Sequence, residues 1–160
     1  MRGARQEKPS RGARQYGTVK MKEIVRIIIK SSSGYCDIES AYNDKLTITK
    51  SSIKYEYFPL SVSDINNIIK WSYKTTNEAF AIVFEIIAKQ MENILNPTNV
   101  IQCTDIGTIE FVVTYADKKR KSIKYNCSSN EFAQCFECIK QMVPTTEDIP
   151  EVLRTSEDFE

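Results

Sequence analysis

From residue 23 onward the chain moves between two hydrophobic periods. EIVRIIIK (23–30) is apolar and β-branched, as in a buried strand. SSSGYCDIES reads as a loop or irregular edge segment. KLTITK then alternates, with Leu46 and Ile48 on one face, and SIKYEYF alternates with Ile53, Tyr55 and Tyr57 on one face. Only Lys50, Ser51 and Ser52 separate the two, which predicts a hairpin. Pro59 stops the second strand. NIIKWSYK predicts a fourth, with Ile69, Trp71 and Tyr73 on one face and Trp71 and Tyr73 in the core.

The period then changes to 3.6. In TTNEAFAIVFEIIAKQMENIL, Phe80, Val83, Phe84, Ile87, Met91 and Leu95 recur at helical spacing. Thr75 and Glu78 form a capping-box pattern at the start, and Asn96-Pro97 ends the run. Ile82, Ile86 and Ile94 widen the apolar arc and predict a well-buried helix. Two strands follow, 108–116 with Phe111 in the core and 122–127, joined by a basic turn at 117–121. Ser128 and Glu131 make a second capping-box pattern. It opens a helix with inner residues Phe132, Cys135, Phe136, Ile139 and Val143, and Pro144 lies just past its end. IPEVL predicts one more turn, capped by Asp148.

The order β-β-β-β-α-β-β-α, with hairpins, predicts an α+β fold: a two-layer domain whose antiparallel sheet has both helices on one face. Its expected core includes Trp71, Tyr73, Phe80, Phe84, Ile87, Phe111, Phe132, Cys135, Phe136 and Ile139. The domain covers 21–153, with an acidic C-terminal end at 154–160. Residues 1–20 have no apolar period and read as a disordered basic tail. That tail repeats RGARQ at 2–6 and 11–15. Residues 2–14 draw their bases from Arg, plus Lys8, whereas the body favours Lys, so Met21 is an alternative start of the protein.

Charge divides along the same boundary. Residues 1–22 hold seven bases against Glu7 alone, and residues 23–160 hold 15 bases against 20 acids. A mildly acidic body is not expected to bind nucleic acid broadly through its field. The tail residues Arg2, Arg5, Arg11 and Arg14 are the candidate phosphate contacts, helped by Lys118, Lys119, Arg120 and Lys121 at the predicted hairpin tip. That tip is equally a solvated turn that discourages edge pairing.

His is absent, which removes Ser-His-Asp and Cys-His nucleophile pairs and His-ligated metals. The five cysteines, odd in number and without a secretory leader, predict reduced thiols in a cytoplasmic protein. Cys135 and Cys138 form a CxxC, but the predicted helix starts near Ser128, which puts the pair in its middle turns as small apolar thiols. A zinc site would need these two plus Cys127 and Cys103 or Cys36, without a second close pair. Asp37, Glu39 and Asp105 sit in predicted loops with nothing to set their separation. Tyr55, Tyr57, Trp71 and Tyr73 are a candidate aromatic platform, or simply the sheet face beneath a helix. No apolar run spans a bilayer.

KWSYKT (70–75), CTDIG (103–107), EFAQCFECIKQMVP (131–144) and VLRTSEDFE (152–160) together resemble a small domain that recurs in uncharacterised proteins of Clostridia and related Firmicutes. The resemblance implies a bacterial source and an acidic end that belongs to the domain, but no activity or site residues. By analogy of element order, the chain is also similar to small secretion-chaperone-like domains, which dimerise and bind extended segments. The expected function is a non-enzymatic intracellular domain that contacts a protein partner, with no catalytic residues, metal or cofactor. The alternatives are nucleic-acid binding through the tail and a thiol- or zinc-dependent protein.

Overall fold

Among the described residues, six antiparallel strands form one sheet in the order β4-β3-β2-β1-β5-β6, with two helices on one face. The computed structural model describes residues 22–97 and 106–159. Strands β1 (Ile24–Ser32), β2 (Tyr42–Thr49), β3 (Ser52–Pro59) and β4 (Ile69–Lys74) run as a meander. Helix α1 (Glu78–Leu95) then carries the chain over the sheet. Strands β5 (Thr108–Tyr115) and β6 (Arg120–Tyr125) add to the other side of β1, and helix α2 (Ala133–Lys140) follows. The α+β two-layer architecture expected from the hydrophobic periods is the architecture observed.

Register sorts the side chains cleanly. Ile27 lies opposite Ile48 and Val113, and Ile29 opposite Leu46 and Phe111. These residues form the inner layer and are fully buried. α1 closes it with Phe84, Ile87 and Met91, and α2 with Phe136 and Ile139, each without solvent contact. Each such side chain contributes on the order of 1.5–3 kcal/mol through burial. Phe80, Phe132 and Cys135 are buried at the margins of the same core.

Several sequence expectations need correction. The sheet's last strand, β4, extends beyond the cover of α1 and α2. Trp71 is therefore only partly buried and Tyr73 is 42% exposed, rather than core. Thr75 and Glu78 do not form the capping box. Asn77 is the N-cap and accepts from the Ala79 N–H at 2.9 Å, while Thr75 Oγ1 accepts from the Asn77 N–H. α1 is buried on one side only, with Ile82 60% and Ile86 45% exposed, because none of the described elements covers its outer face. Ser128 caps a 3-10 turn over Ser129–Phe132 ahead of α2: its hydroxyl accepts from the Asn130 N–H, and the Glu131 N–H goes to its backbone carbonyl instead of its side chain. Met142 is the buried residue at the end of that segment, and Val143 packs against the core only partly buried. Glu151–Leu153 does form a 3-10 turn, but Pro150 precedes it without a side-chain cap, and Asp148 plays no such part.

The acidic end is part of the packed domain. Ser156–Phe159 is another 3-10 turn, and Asp158 accepts from Lys140 Nζ at 2.7 Å and from the Thr155 N–H at 2.8 Å. Gly107 explains a tight crossing at the start of β5: a Cβ there would collide with the Ser32 carbonyl oxygen.

Candidate interaction surface

The sequence candidates disperse once folded. Arg2, Arg5, Arg11, Arg14, Cys103 and Asp105 lie outside the described residues. The four basic residues at 118–121 do not make one tip. Lys118 and Lys119 form the turn, with Lys118 at φ 70°. Arg120 and Lys121 already belong to β6, where alternation sends them to opposite faces. Lys121 Nζ reaches Asn96 Oδ1 at 2.9 Å on the helix side, whereas Arg120 pairs across to Thr114 on the open face.

Because α2 begins at Ala133, Cys135 occupies its first turn rather than the middle of a longer helix. An exposed thiol there would be activated. Cys135 is instead only 4% exposed, and burial, followed by the neighbouring Cys138, pushes its thiol up to about 12. That is the wrong direction for a nucleophile at neutral pH. Among the described residues, no three His, Cys, Asp or Glu side chains are grouped to hold a metal ion.

The aromatic set is occupied internally. Tyr57 Oη donates to Asn66 Oδ1 at 2.6 Å, and its ring stacks on Tyr42 at 5.0 Å. Tyr55 Oη donates to Asp44 Oδ2 at 2.8 Å. Asp44 is the main polar residue missed by sequence reasoning. It sits at the start of β2, on the inner face, and is 3% exposed. Ser31 donates to its other oxygen, and the Val152 N–H donates to Oδ2 at 2.9 Å. Tyr55 Oη in turn accepts from the Glu151 N–H at 3.1 Å. This node fastens the C-terminal 3-10 turn to the sheet. Burial outweighs the three donors and raises the Asp44 carboxyl to about 6, with no cation in the node to reverse it. The alternation of Leu46 and Ile48, carried two residues back, is the signal that would have placed Asp44 inside.

The most distinctive surface lies beside β4. Leu60, Val62, Ile65 and Ile68 in the connection from β3, with Ile69 opening β4, are 44–86% exposed, Ile65 most of all. The connection is not loose. Asn66 is buried at 8%, and its side chain donates to the Glu39 carbonyl at 2.8 Å while accepting from Tyr57. Ser63 and Asn66 exchange backbone hydrogen bonds. The aliphatic side chains are thus held out to solvent by a pinned backbone. Among the described residues β4 pairs only with β3, so its far edge presents backbone donors and acceptors with no strand partner there. Beneath that edge is a groove of about 560 Å³ lined by Tyr73, Phe80, Val83, Met142, Val143 and Pro144. At the opposite edge, β6 carries no exposed large apolar side chain.

Comparison with protein-family models, with curated proteins and with solved structures gives no match to this chain. No helix among the described residues is long and apolar enough to cross a membrane.

Proposed function

We propose that this domain is a non-enzymatic binding module inside the cell, and that its partner is a protein. The partner's extended apolar segment adds to the β4 edge, lays side chains into the groove beneath it and covers the aliphatic connection at 60–69. The observation that carries this reading is the pinned, exposed set Leu60, Val62, Ile65 and Ile68 next to an unpaired strand edge. Contiguous apolar surface of this kind marks binding sites on soluble domains, and strand addition supplies the backbone hydrogen bonds such a site needs. A bacterial cytoplasmic setting is part of the same proposal, on the resemblance and the reduced-thiol reading.

A photo-crosslinking amino acid at position 65, in the native host, tests it. The expected product is a single adduct with a second protein species, lost in Ile65→Asp/Ile68→Asp and reproduced with that protein purified. Recovery of the uncrosslinked domain alone would refute the reading, as would an adduct between two copies of this chain.

A further inference from the structure

The sheet face opposite the helices carries the charge that the chain totals conceal. Register aligns one row straight across all six strands: Lys70, Glu56, Lys45, Lys30, Glu110 and Lys124. The other outward positions add Lys74, Lys54, Arg26 and Arg120 and no acid, making eight bases against two acids. The described residues hold 16 bases and 18 acids in all, so eight bases and 16 acids remain elsewhere. A body that is acidic in total is therefore divided into a basic sheet face and an acidic remainder. The face is only partly neutralised from within, by Glu56 and Glu110. Lys54 pairs with Glu56 at 2.8 Å, but no salt bridge among the described residues engages Arg26, Lys30, Lys45, Lys70, Lys74 or Lys124.

The face also has shape and donors. A groove of about 370 Å³ opens on it, lined by Lys30, Lys45 and Lys124 with Ser32, Asn43 and Thr108, and by two acids, Glu110 and the buried Asp44, so that three cations outnumber two carboxyls. Phe58 borders the same groove and is 37% exposed, and Lys70 Nζ stands over its ring at 5.0 Å from the centroid. Cations, hydroxyl donors and an aromatic ring are the components by which single-stranded nucleic acid is held: ammonium groups and hydroxyls on phosphate oxygens, a ring under a base.

We infer that this open sheet face binds single-stranded nucleic acid, with phosphates on Lys30, Lys45 and Lys124 and a base on Phe58. The phosphate that takes Lys70 uncovers the ring for the base. At about 4.8 Å per strand spacing, the charged row is roughly 24 Å long, enough for a short site of about four nucleotides. An anionic bilayer fits less well, because the groove has no protruding aliphatic anchor; Ile28, at the centre of the face, is itself buried.

The test is fluorescence anisotropy with the full chain and a labelled oligothymidylate of about 12 nucleotides, across roughly 50–200 mM salt. The native protein is expected to bind with a steep salt dependence. Lys30→Gln/Lys45→Gln/Lys124→Gln should weaken binding at least about tenfold and flatten the log–log slope by about 2, at ~0.7 per phosphate contact. Lys30→Arg/Lys45→Arg/Lys124→Arg should restore both, which separates lost charge from lost fold. Phe58→Ala should weaken binding about fivefold or more at unchanged slope. An unchanged slope in the Gln variant would overturn the inference. So would binding that disappears only in Arg2→Gln/Arg5→Gln/Arg11→Gln/Arg14→Gln. Equal affinity for a duplex or for a polyglutamate peptide would overturn it as well, the latter pointing to an acidic protein.

Discussion

Replacing Asp44 with Asn tests what a buried carboxyl does to this fold. The carboxyl is 3% exposed and titrates near 6 rather than near its ordinary 3.8. Between those two values the folded protein holds a proton that the unfolded chain releases, so stability falls as pH rises through that window. The full shift is worth about 3 kcal/mol at ~1.36 kcal/mol per pH unit. Integrated from about pH 5 to about pH 7.5, the loss is on the order of 1 kcal/mol. Asn carries no charge to desolvate, and it can satisfy the node. Its oxygen accepts from Tyr55 and the Val152 N–H, and its amide donates to the Ser31 hydroxyl, which is free to rotate. The assay is urea unfolding followed by the single tryptophan, Trp71, at the two pH values. Taking the difference between variant and native protein at each pH removes the other titrating groups. That difference should move by about 1 kcal/mol in favour of Asn from the lower to the higher pH. A difference that stays constant, or moves the other way, refutes the reasoning. Asp44→Ala is the contrasting variant. It strands the Val152 N–H and the Tyr55 hydroxyl and should cost at least about 2 kcal/mol at either pH.

Other consequences follow from particular contacts. Gly107→Ala drives a methyl into the Ser32 carbonyl and should destabilise the fold by several kcal/mol, roughly the cost of a severe backbone clash; a melting temperature within a degree or two of native would contradict the crossing described for β1 and β5. Lys118→Gly relieves a left-handed backbone at φ 70° and should stabilise by about 0.5–1 kcal/mol in urea titration, whereas a loss would place the turn in another conformation. Ile87→Ala should cost about 2–5 kcal/mol, while Ile86→Asn on the exposed side of α1 should stay within about 0.5 kcal/mol. Native-state thiol labelling read by mass spectrometry should modify exposed Cys36 and spare buried Cys127 and Cys135; rapid modification of Cys135 would refute its raised pKa.

Alternation and helical spacing alone specified the strands, the helices and most of the inner layer, because burial against one partner layer imposes a period that the chain displays locally. Leu46, Ile53, Phe84 and Phe136 were legible for that reason. Trp71, Tyr73, Ile82 and Ile86 were misjudged because periodicity shows which side chains share a face but not how far the opposing layer extends. The Asp44 node joins residues as much as 108 positions apart, so its partners could be seen only after β2 and the C-terminal turn had met. The two proposed surfaces divide the same way. The aliphatic run at 60–69 is visible in the chain, but Asn66, which holds it rigidly outward, takes its meaning from Tyr57 and Glu39. The basic face is invisible to composition, since net charge sums over both layers. Only strand pairing gathers its lysines, scattered from Lys30 to Lys124, onto one surface while the acids collect elsewhere. Local sequence sets the period of each element, and long-range register decides which elements' faces become neighbours.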